Sequence, residues 1–133
     1  MEVREGMSSI VLAVGPGHTL RDTAAKMTEK GTGAALVFDD EAPAPRIITE
    51  RDILIAIGSG MDPDEVTVAD HMSESVISAA PDWSLERAAD EMVKRGIRHL
   101  VVVDHGELVG VLSMRDIVRC WTQEGATSSM TPP

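Results

Sequence analysis

Two short motifs in this chain combine a hydroxyl side chain with a carboxylate three residues later. They are Thr49 with Asp52 and Ser113 with Asp116. An ionised carboxylate accepts two hydrogen bonds at once, and its charge strengthens both. If each motif starts a helix, the unpaired backbone N–H groups at that end can also point at phosphate oxygens. The same spacing is typical of a helix capping box, and either motif taken alone is more often a cap than a binding site.

The two motifs close two copies of one sequence pattern. Residues of the first copy recur 65 positions later, and after one residue is dropped the closing residues recur 64 positions later. The repeated residues are Met7, Ser8, Val11, Pro16, Leu20, Ala24, Met27, Gly31, Val37 and Asp39, then Arg51, Asp52 and Ile53, with Thr49 answered by Ser113. Such a repeat indicates one supersecondary unit used twice, each copy too small to bury its apolar face alone. We expect the function to lie where the copies meet.

Each copy predicts the element order β-α-β-β-α, and hence a mixed α/β (α+β) fold. The first copy has a strand at 10–14, a helix from the N-cap Thr19 to Gly31, a strand at 35–38, a proline-containing connection at 41–45, a strand at 46–48 and a helix from Asp52. The second has a lead-in helix at 68–72, a strand from Val76, a helix from the N-cap Ser84 to Gly96, a strand at 100–103, a tight turn at 104–107, a strand at 108–112 and a helix from Ser113. Ser and Thr favour N-caps, and Gly favours the left-handed helix end. The predicted boundaries are repeat 1 at 3–60, a linker at 61–67, repeat 2 at 68–124 and a flexible tail at 125–133.

Composition limits the classes of partner. The chain has 133 residues, 22 acidic against 12 basic side chains and a net charge of -10. Phosphate neutralisation needs a basic face, so nucleic acid is not expected as a partner, and anionic membrane surfaces are disfavoured for the same reason. The single Cys120 cannot form an internal disulfide, and no secretory or membrane-spanning segment is evident. We expect a cytoplasmic location.

Other kinds of site find no support in the sequence. The four histidines lack metal-ligand spacing, so no metal site is predicted. No glycine-rich phosphate loop of the Walker or Rossmann type is present. Cys120 has no basic neighbour in sequence that would activate it, and it is interpreted as a packing residue. The chain is therefore not expected to be an enzyme.

The order of the elements and the closing motifs resemble the CBS domain, named after cystathionine β-synthase. The resemblance rests on the duplicated pattern and on the stretches Gly31–Val37, Ile48–Asp52 and Arg98–Asp104. It covers nearly the whole chain and is that of a stand-alone, bacterial-type tandem pair, the arrangement called a Bateman module. The resemblance implies two repeats related by a pseudo-twofold axis, and a homodimer.

The resemblance also implies a ligand. In the family the closing Asp accepts hydrogen bonds from the 2′ and 3′ hydroxyls of a ribose, the hydroxyl residue contacts ribose or phosphate, and each pocket is completed by the other repeat. It implies two sets of site residues: Thr49 and Asp52 with Val76, Ile77, Arg98 and His99, and Ser113 and Asp116 with Val11, Leu12, Gly33 and Ala34. Arg51 and Arg115 can reach phosphates of a neighbouring ligand or a dimer mate, or can be solvated charges at a helix start.

The two predicted sites differ. The family often carries basic residues where this chain has Arg98 and His99, so both are candidates for phosphate contact, or else surface charges before a strand. The first repeat has Gly33 and Ala34 at those positions. The Asp52 site is therefore better equipped for an anionic nucleotide. Relatives usually carry Gly where the first repeat has Arg46, and the sequence leaves open whether that side chain narrows the pocket or reaches into it.

Two functions remain. One is a regulatory sensor that binds AMP, ADP, ATP, NAD(H) or S-adenosylmethionine in the cleft between the repeats, requires no cofactor, and signals to an unidentified effector protein through repeat or dimer geometry. The other is a ligand-independent dimerisation or protein-interaction module with vestigial pockets, in which the motifs serve only as helix caps.

Overall fold

The computed structural model describes residues 1–42, 44–73 and 76–129 of the chain. Its elements are α1 (Val3–Gly6), β1 (Ala13–Val14), α2 (Leu20–Lys30), β2 (Ala34–Val37), β3 (Arg46–Thr49), α3 (Glu50–Gly58), α4 (Val68–His71), β4 (Ser78–Ala79), α5 (Leu85–Arg95), β5 (His99–Asp104), β6 (Glu107–Ser113) and α6 (Met114–Ser129). They pack as two compact units, which we call the repeat-1 unit (residues 11–76) and the repeat-2 unit (residues 1–10 and 77 onward). The predicted α/β class and the repeated β-α-β-β-α order are confirmed.

Each unit contains a three-stranded sheet of the same topology. In the repeat-1 unit β1 runs parallel to β2, and β2 is antiparallel to β3; β4, β5 and β6 repeat this arrangement in the other unit. The central strand β2 is buried along its whole length, as expected for a strand of small apolar residues with a neighbour on each side. Each sheet builds its own core, centred on Leu20, Met27 and Ile48 in one unit and on Leu85, Met92 and Leu112 in the other.

The predicted helix ends are confirmed. Thr19 accepts a hydrogen bond from the backbone N–H of Asp22, and Ser84 accepts one from that of Arg87, both over 3.1 Å. Gly31 and Gly96 end α2 and α5 with φ of 68° and 65°, in the left-handed region that a Cβ disfavours.

The predicted tight turn of the second repeat is also confirmed. His105 and Gly106 have φ of 51° and 81°. Two consecutive positive φ angles are what a type I′ hairpin turn requires, so the turn chemistry joins β5 to β6 directly.

Each unit includes a short lead-in helix from another part of the chain. The α1 segment belongs to the repeat-2 unit, where the N–H of Val3 donates to the carbonyl of Trp83 over 2.8 Å. The α4 segment belongs to the repeat-1 unit, where the N–H of Val68 donates to the carbonyl of His18 over 2.8 Å. The sequence predicted the second lead-in helix but not the first.

The segment predicted as a linker is held against the start of α2. The N–H of Arg21 donates to the carbonyl of Pro63 over 3.0 Å. The guanidinium of Arg21 also donates to the carboxylate of Asp64, and this hydrogen bond raises the pKa of Arg21.

Three elements differ most from the sequence prediction, whereas most other predicted ends lie within two residues of the observed ones. β1 and β4 each have two residues, so both first strands are shorter than expected; Ile10, predicted in the first of them, is exposed and lies in the repeat-2 unit. Helix α6 continues to Ser129 into the predicted tail, and no proline lies within Met114–Ser129 to interrupt it. Residues 130–133 and Pro43 of the predicted connection lie outside the described residues. Within the described part of the chain, no helix is long and apolar enough to cross a bilayer.

Candidate functional site

The first motif is a closed capping box at the start of α3. The N–H of Asp52 donates to Oγ1 of Thr49 over 3.3 Å, and the N–H of Thr49 donates to Oδ2 of Asp52 over 2.8 Å. The hydroxyl of Thr49 also donates to Oδ2 over 3.1 Å. A single oxygen of the Asp52 carboxylate, Oδ2, therefore accepts both hydrogen bonds that Thr49 donates at the start of the helix.

The second motif forms the same box at the start of α6. The N–H of Ser113 donates to Oδ2 of Asp116 over 2.8 Å, and the N–H of Asp116 donates to Oγ of Ser113 over 3.0 Å. The cap interpretation is thus confirmed for both motifs. It leaves the second carboxylate oxygen of each Asp for other contacts, because only Oδ2 takes part in the box.

That second oxygen differs between the two motifs. Oδ1 of Asp116 lies 3.0 Å from Nη1 of Arg119, and the side chain of Asp116 is only 15% exposed. Nη2 of Arg119 donates to the carbonyl of Gly6 in α1 over 3.3 Å. The position equivalent to Arg119 in the first repeat is Ile55, and no side chain of the described residues pairs with Oδ1 of Asp52. Among the described residues, Asp52 therefore has an acceptor oxygen without a side-chain partner, whereas the same oxygen of Asp116 is paired with Arg119.

Each motif lies beside the start of the central strand of its own unit. We call the residues at this start, Gly33 with Ala34 and Arg98 with His99, the strand-entry corner of the unit. Ala34 pairs with Thr49 in one sheet, and His99 pairs with Ser113 in the other. The backbone N–H that follows the hydroxyl residue donates to the corner carbonyl: Glu50 to Gly33 over 2.9 Å, and Met114 to Arg98 over 2.8 Å.

The two corners carry opposite charge. The carboxylate of Glu50 lies against Gly33, since a Cβ at position 33 would be 3.2 Å from its carboxyl carbon. In the other unit the equivalent pair is Arg98, which is exposed, and Met114, which has no charge. An anion is therefore favoured at one corner and disfavoured at the other.

The remaining predicted residues lie near the first strand of each unit. The carbonyl of Leu12 accepts from the N–H of Leu36 over 2.9 Å, and that of Ile77 accepts from the N–H of Val101 over 3.0 Å. Val11 and Val76 are half-buried, as are Leu12 and Ile77. Arg51 and Arg115 are exposed in the first turns of α3 and α6.

The predicted partners of each motif are divided between the two units. Val76 shares the repeat-1 unit with Asp52, whereas Ile77, Arg98 and His99 belong to the repeat-2 unit. Val11, Leu12, Gly33 and Ala34 belong to the repeat-1 unit, whereas Asp116 belongs to the other. Pockets completed by the opposite repeat therefore stay a prediction.

Gly110 is explained by a close backbone approach. A Cβ at this position would lie 2.6 Å from the carbonyl oxygen of Ser8. In the first repeat Arg46 takes this place, and the neighbouring hydrogen bond from Ile47 to Ser73 is 3.4 Å long, against 3.0 Å for the equivalent bond from Val111 to Ser8. The reciprocal bonds, from Ser73 to Ile47 and from Ser8 to Val111, are 2.8 and 2.9 Å long, so only one of the two bonds differs between the repeats.

Three residues with direct bearing on the site were missed by the sequence analysis: Glu50, Met114 and Arg119. Glu50 and Met114 are adjacent to the predicted hydroxyl residues, so comparing the two repeats at that position would have revealed the charge difference. Arg119 follows Asp116 by three residues, which is the spacing of neighbours on a helix. Among the described residues, no cluster of His, Cys, Asp and Glu could hold a metal ion.

Known proteins share this sequence and fold. The CBS domain family matches residues 2–59 and 68–122. The CBS domain-containing protein YhcV of Bacillus subtilis is 30% identical over 97% of this chain and 92% of its own length. The structure of the CBS domain protein PAE2072 from Pyrobaculum aerophilum, complexed with AMP, superposes with a TM-score of 0.79 at 31% identity, covering 96% of this chain and 99% of that one.

Other relatives are longer than this chain. The uncharacterized protein MK0525 of Methanopyrus kandleri is 39% identical over 82% of this chain, and the match covers 57% of that protein. The match to a relative from Methanocaldococcus jannaschii covers 45% of the relative's length. The chain thus covers about half the length of these curated relatives. The duplicated match, the relatives and the shared architecture agree: the chain belongs to the CBS domain family, with two CBS domains in tandem.

Proposed function

We propose that this chain is a regulatory module that binds an adenosine nucleotide through the motif of Thr49 and Asp52. The observation that carries the proposal is the state of the Asp52 carboxylate. Its Oδ2 closes the cap of α3, while Oδ1 has no partner among the described side chains. A half-buried carboxylate with an uncommitted oxygen can accept hydrogen bonds from a vicinal diol such as that of ribose.

The start of α3 does not itself select an anion. The N–H groups of Glu50 and Asp52 already donate to Gly33 and Thr49, and the Glu50 carboxylate disfavours a second negative charge there. The motif therefore accounts for the ribose diol, and a phosphate needs a cation such as the exposed Arg98.

The relative PAE2072 supports the choice of ligand class. It is complexed with AMP and matches nearly the whole of this chain. AMP is therefore the first ligand to test, followed by ADP, ATP, NAD(H) and S-adenosylmethionine. The ligand would signal to an effector protein by favouring one of two arrangements of the module. It can do so only if it binds the two arrangements with different affinity.

A ligand panel tests this function. Purified chain is melted with each of these ligands at millimolar concentration, since a ligand that binds only the folded state raises the melting temperature. The variant Asp52→Asn keeps an acceptor for the cap but loses the charge. A rise for one ligand that disappears in Asp52→Asn supports the proposal. No rise for any ligand, or a rise that Asp52→Asn leaves unchanged, would overturn it.

One observation favours a second function, self-association without ligand. Leu54 and Ile57 are exposed on α3, and the equivalent residues Val118 and Trp121 are exposed on α6. Both repeats thus present an apolar pair at the same two helix positions. Apolar surface repeated in this way suits a symmetric contact with a second copy of the chain.

A further inference from the structure

The two motifs have the same cap but unequal carboxylates. Asp52 keeps Oδ1 uncommitted among the described side chains, whereas Oδ1 of Asp116 is paired with Arg119 over 3.0 Å. We propose that Arg119 determines which motif binds ribose, by holding Asp116 in an ion pair and leaving Asp52 as the tighter site. This inference rests on the proposed function and names the residue that makes its two sites unequal.

The ion pair opposes binding at Asp116 because a ribose diol needs the same carboxylate. A carboxylate that accepts from a guanidinium must exchange a charge-assisted hydrogen bond for one from a neutral hydroxyl. Asp116 is mostly buried, which limits the access of a competing hydroxyl to the other faces of the carboxylate. A diol at this motif therefore displaces Arg119 or shares the carboxylate with it, and either arrangement costs part of the ion pair.

Arg119 is held from its other side as well. Its Nη2 donates to the carbonyl of Gly6, and Gly6 is buried against α6, where an added Cβ would meet Sγ of Cys120 at 3.0 Å. Helix α1 is thus close to α6, and the carbonyl is fixed in position. A guanidinium anchored at both ends moves away from Asp116 less readily than a solvated one.

The first repeat has nothing comparable at this position. Ile55 replaces Arg119, it is 55% exposed, and it has no group that can pair with a carboxylate. The role of the cation can therefore be tested in both directions, by removing it at position 119 and by introducing it at position 55.

The test measures AMP affinity by calorimetry in proteins that retain one motif. Asp116→Asn leaves only the Asp52 carboxylate, and Asp52→Asn leaves only that of Asp116. We expect the first protein to bind AMP more tightly. Adding Arg119→Gln to the second protein removes the charge while keeping a donor for Gly6, and it should tighten AMP binding about two- to fivefold, the range of a partly exposed ion pair.

The reciprocal variant makes the test independent of effects on α1. Ile55→Arg in the Asp116→Asn protein should weaken AMP binding by a similar factor. A purely structural role of Arg119 would lower the melting temperature in Arg119→Gln without tightening any ligand, and so would overturn the inference. Weaker AMP binding in Arg119→Gln would also overturn it, because Arg119 would then be a ligand contact.

The proposed function and this inference fail in different ways. If the wild-type chain binds no AMP or other ligand of the panel, both are wrong. If the wild-type chain binds AMP but Arg119→Gln brings no gain in the Asp52→Asn protein, only the inference is wrong.

Discussion

Gly33 and Glu50 are joined at the corner of the repeat-1 unit by backbone and side chain. The N–H of Glu50 donates to the carbonyl of Gly33 over 2.9 Å, and the Glu50 carboxylate covers the face where a Cβ of residue 33 would lie. The equivalent residues of the second repeat, Arg98 and Met114, keep the backbone bond over 2.8 Å but reverse the charge. The two corners thus share one backbone hydrogen bond but differ in charge, so that an anionic ligand group is favoured at Arg98 and disfavoured at Glu50.

The first prediction concerns phosphate recognition by Arg98. Replacing Arg98 by Ala should weaken AMP binding about tenfold, because a hydrogen bond from a cation to an anion is lost, and should leave adenosine binding unchanged. Calorimetric titration with both ligands measures the difference. Arg95→Ala, an exposed Arg at the end of α5 that pairs with Glu91, removes the same charge and serves as the control. Equal weakening of AMP and adenosine would contradict a phosphate contact.

The second prediction concerns Gly110, which faces a backbone oxygen, and Gly33, which faces a side-chain carboxylate. Gly110→Ala should lower the free energy of unfolding by about 1 to 3 kcal/mol, because its Cβ would lie 2.6 Å from a backbone oxygen of Ser8 that cannot move without shifting the lead-in segment. Gly33→Ala should cost well under about 1 kcal/mol, since the exposed Glu50 side chain can move away. Urea unfolding of the two variants gives the comparison. Equal losses would show that the approach at Ser8 is not tight.

The third prediction concerns self-association. Leu54, 70% exposed on α3, should lie in a contact between two copies, so Leu54→Lys should shift the chain from dimer to monomer in analytical ultracentrifugation. Val93→Lys is the matched control, because Val93 is 73% exposed on α5 but its counterpart in the first repeat is the polar Thr28. A monomeric wild-type chain, or a dimer that Leu54→Lys leaves intact, would contradict this assignment.

The sequence predicted the features that depend on local backbone geometry. Thr19, Ser84, Gly31 and Gly96 were identified as helix ends because capping hydrogen bonds and positive φ angles select those residue types wherever they occur. The turn at His105 and Gly106 was found for the same reason.

The sequence could not give features that depend on tertiary contacts. The four-residue helix α1 is too short to be stable alone, and it is held by backbone hydrogen bonds from Val3 and to Met1 in the repeat-2 unit. β1 and β4 end where pairing with β2 and β5 ends, which no local pattern specifies. The pairing of Arg119 with Asp116 depends on the approach of Gly6, since an Arg at this helical spacing is otherwise a solvated charge.

The measurement that tests the central claim most directly is calorimetric titration of AMP into the wild-type chain and into Asp52→Asn, with the melting temperature of each recorded. Asn retains the cap acceptor but cannot offer a charged oxygen to the diol. We predict saturable binding in the wild-type chain and at least about tenfold weaker binding in Asp52→Asn, with little change in melting temperature in the absence of ligand. Equal affinity in the two proteins, or no binding in either, would contradict the role assigned to Asp52.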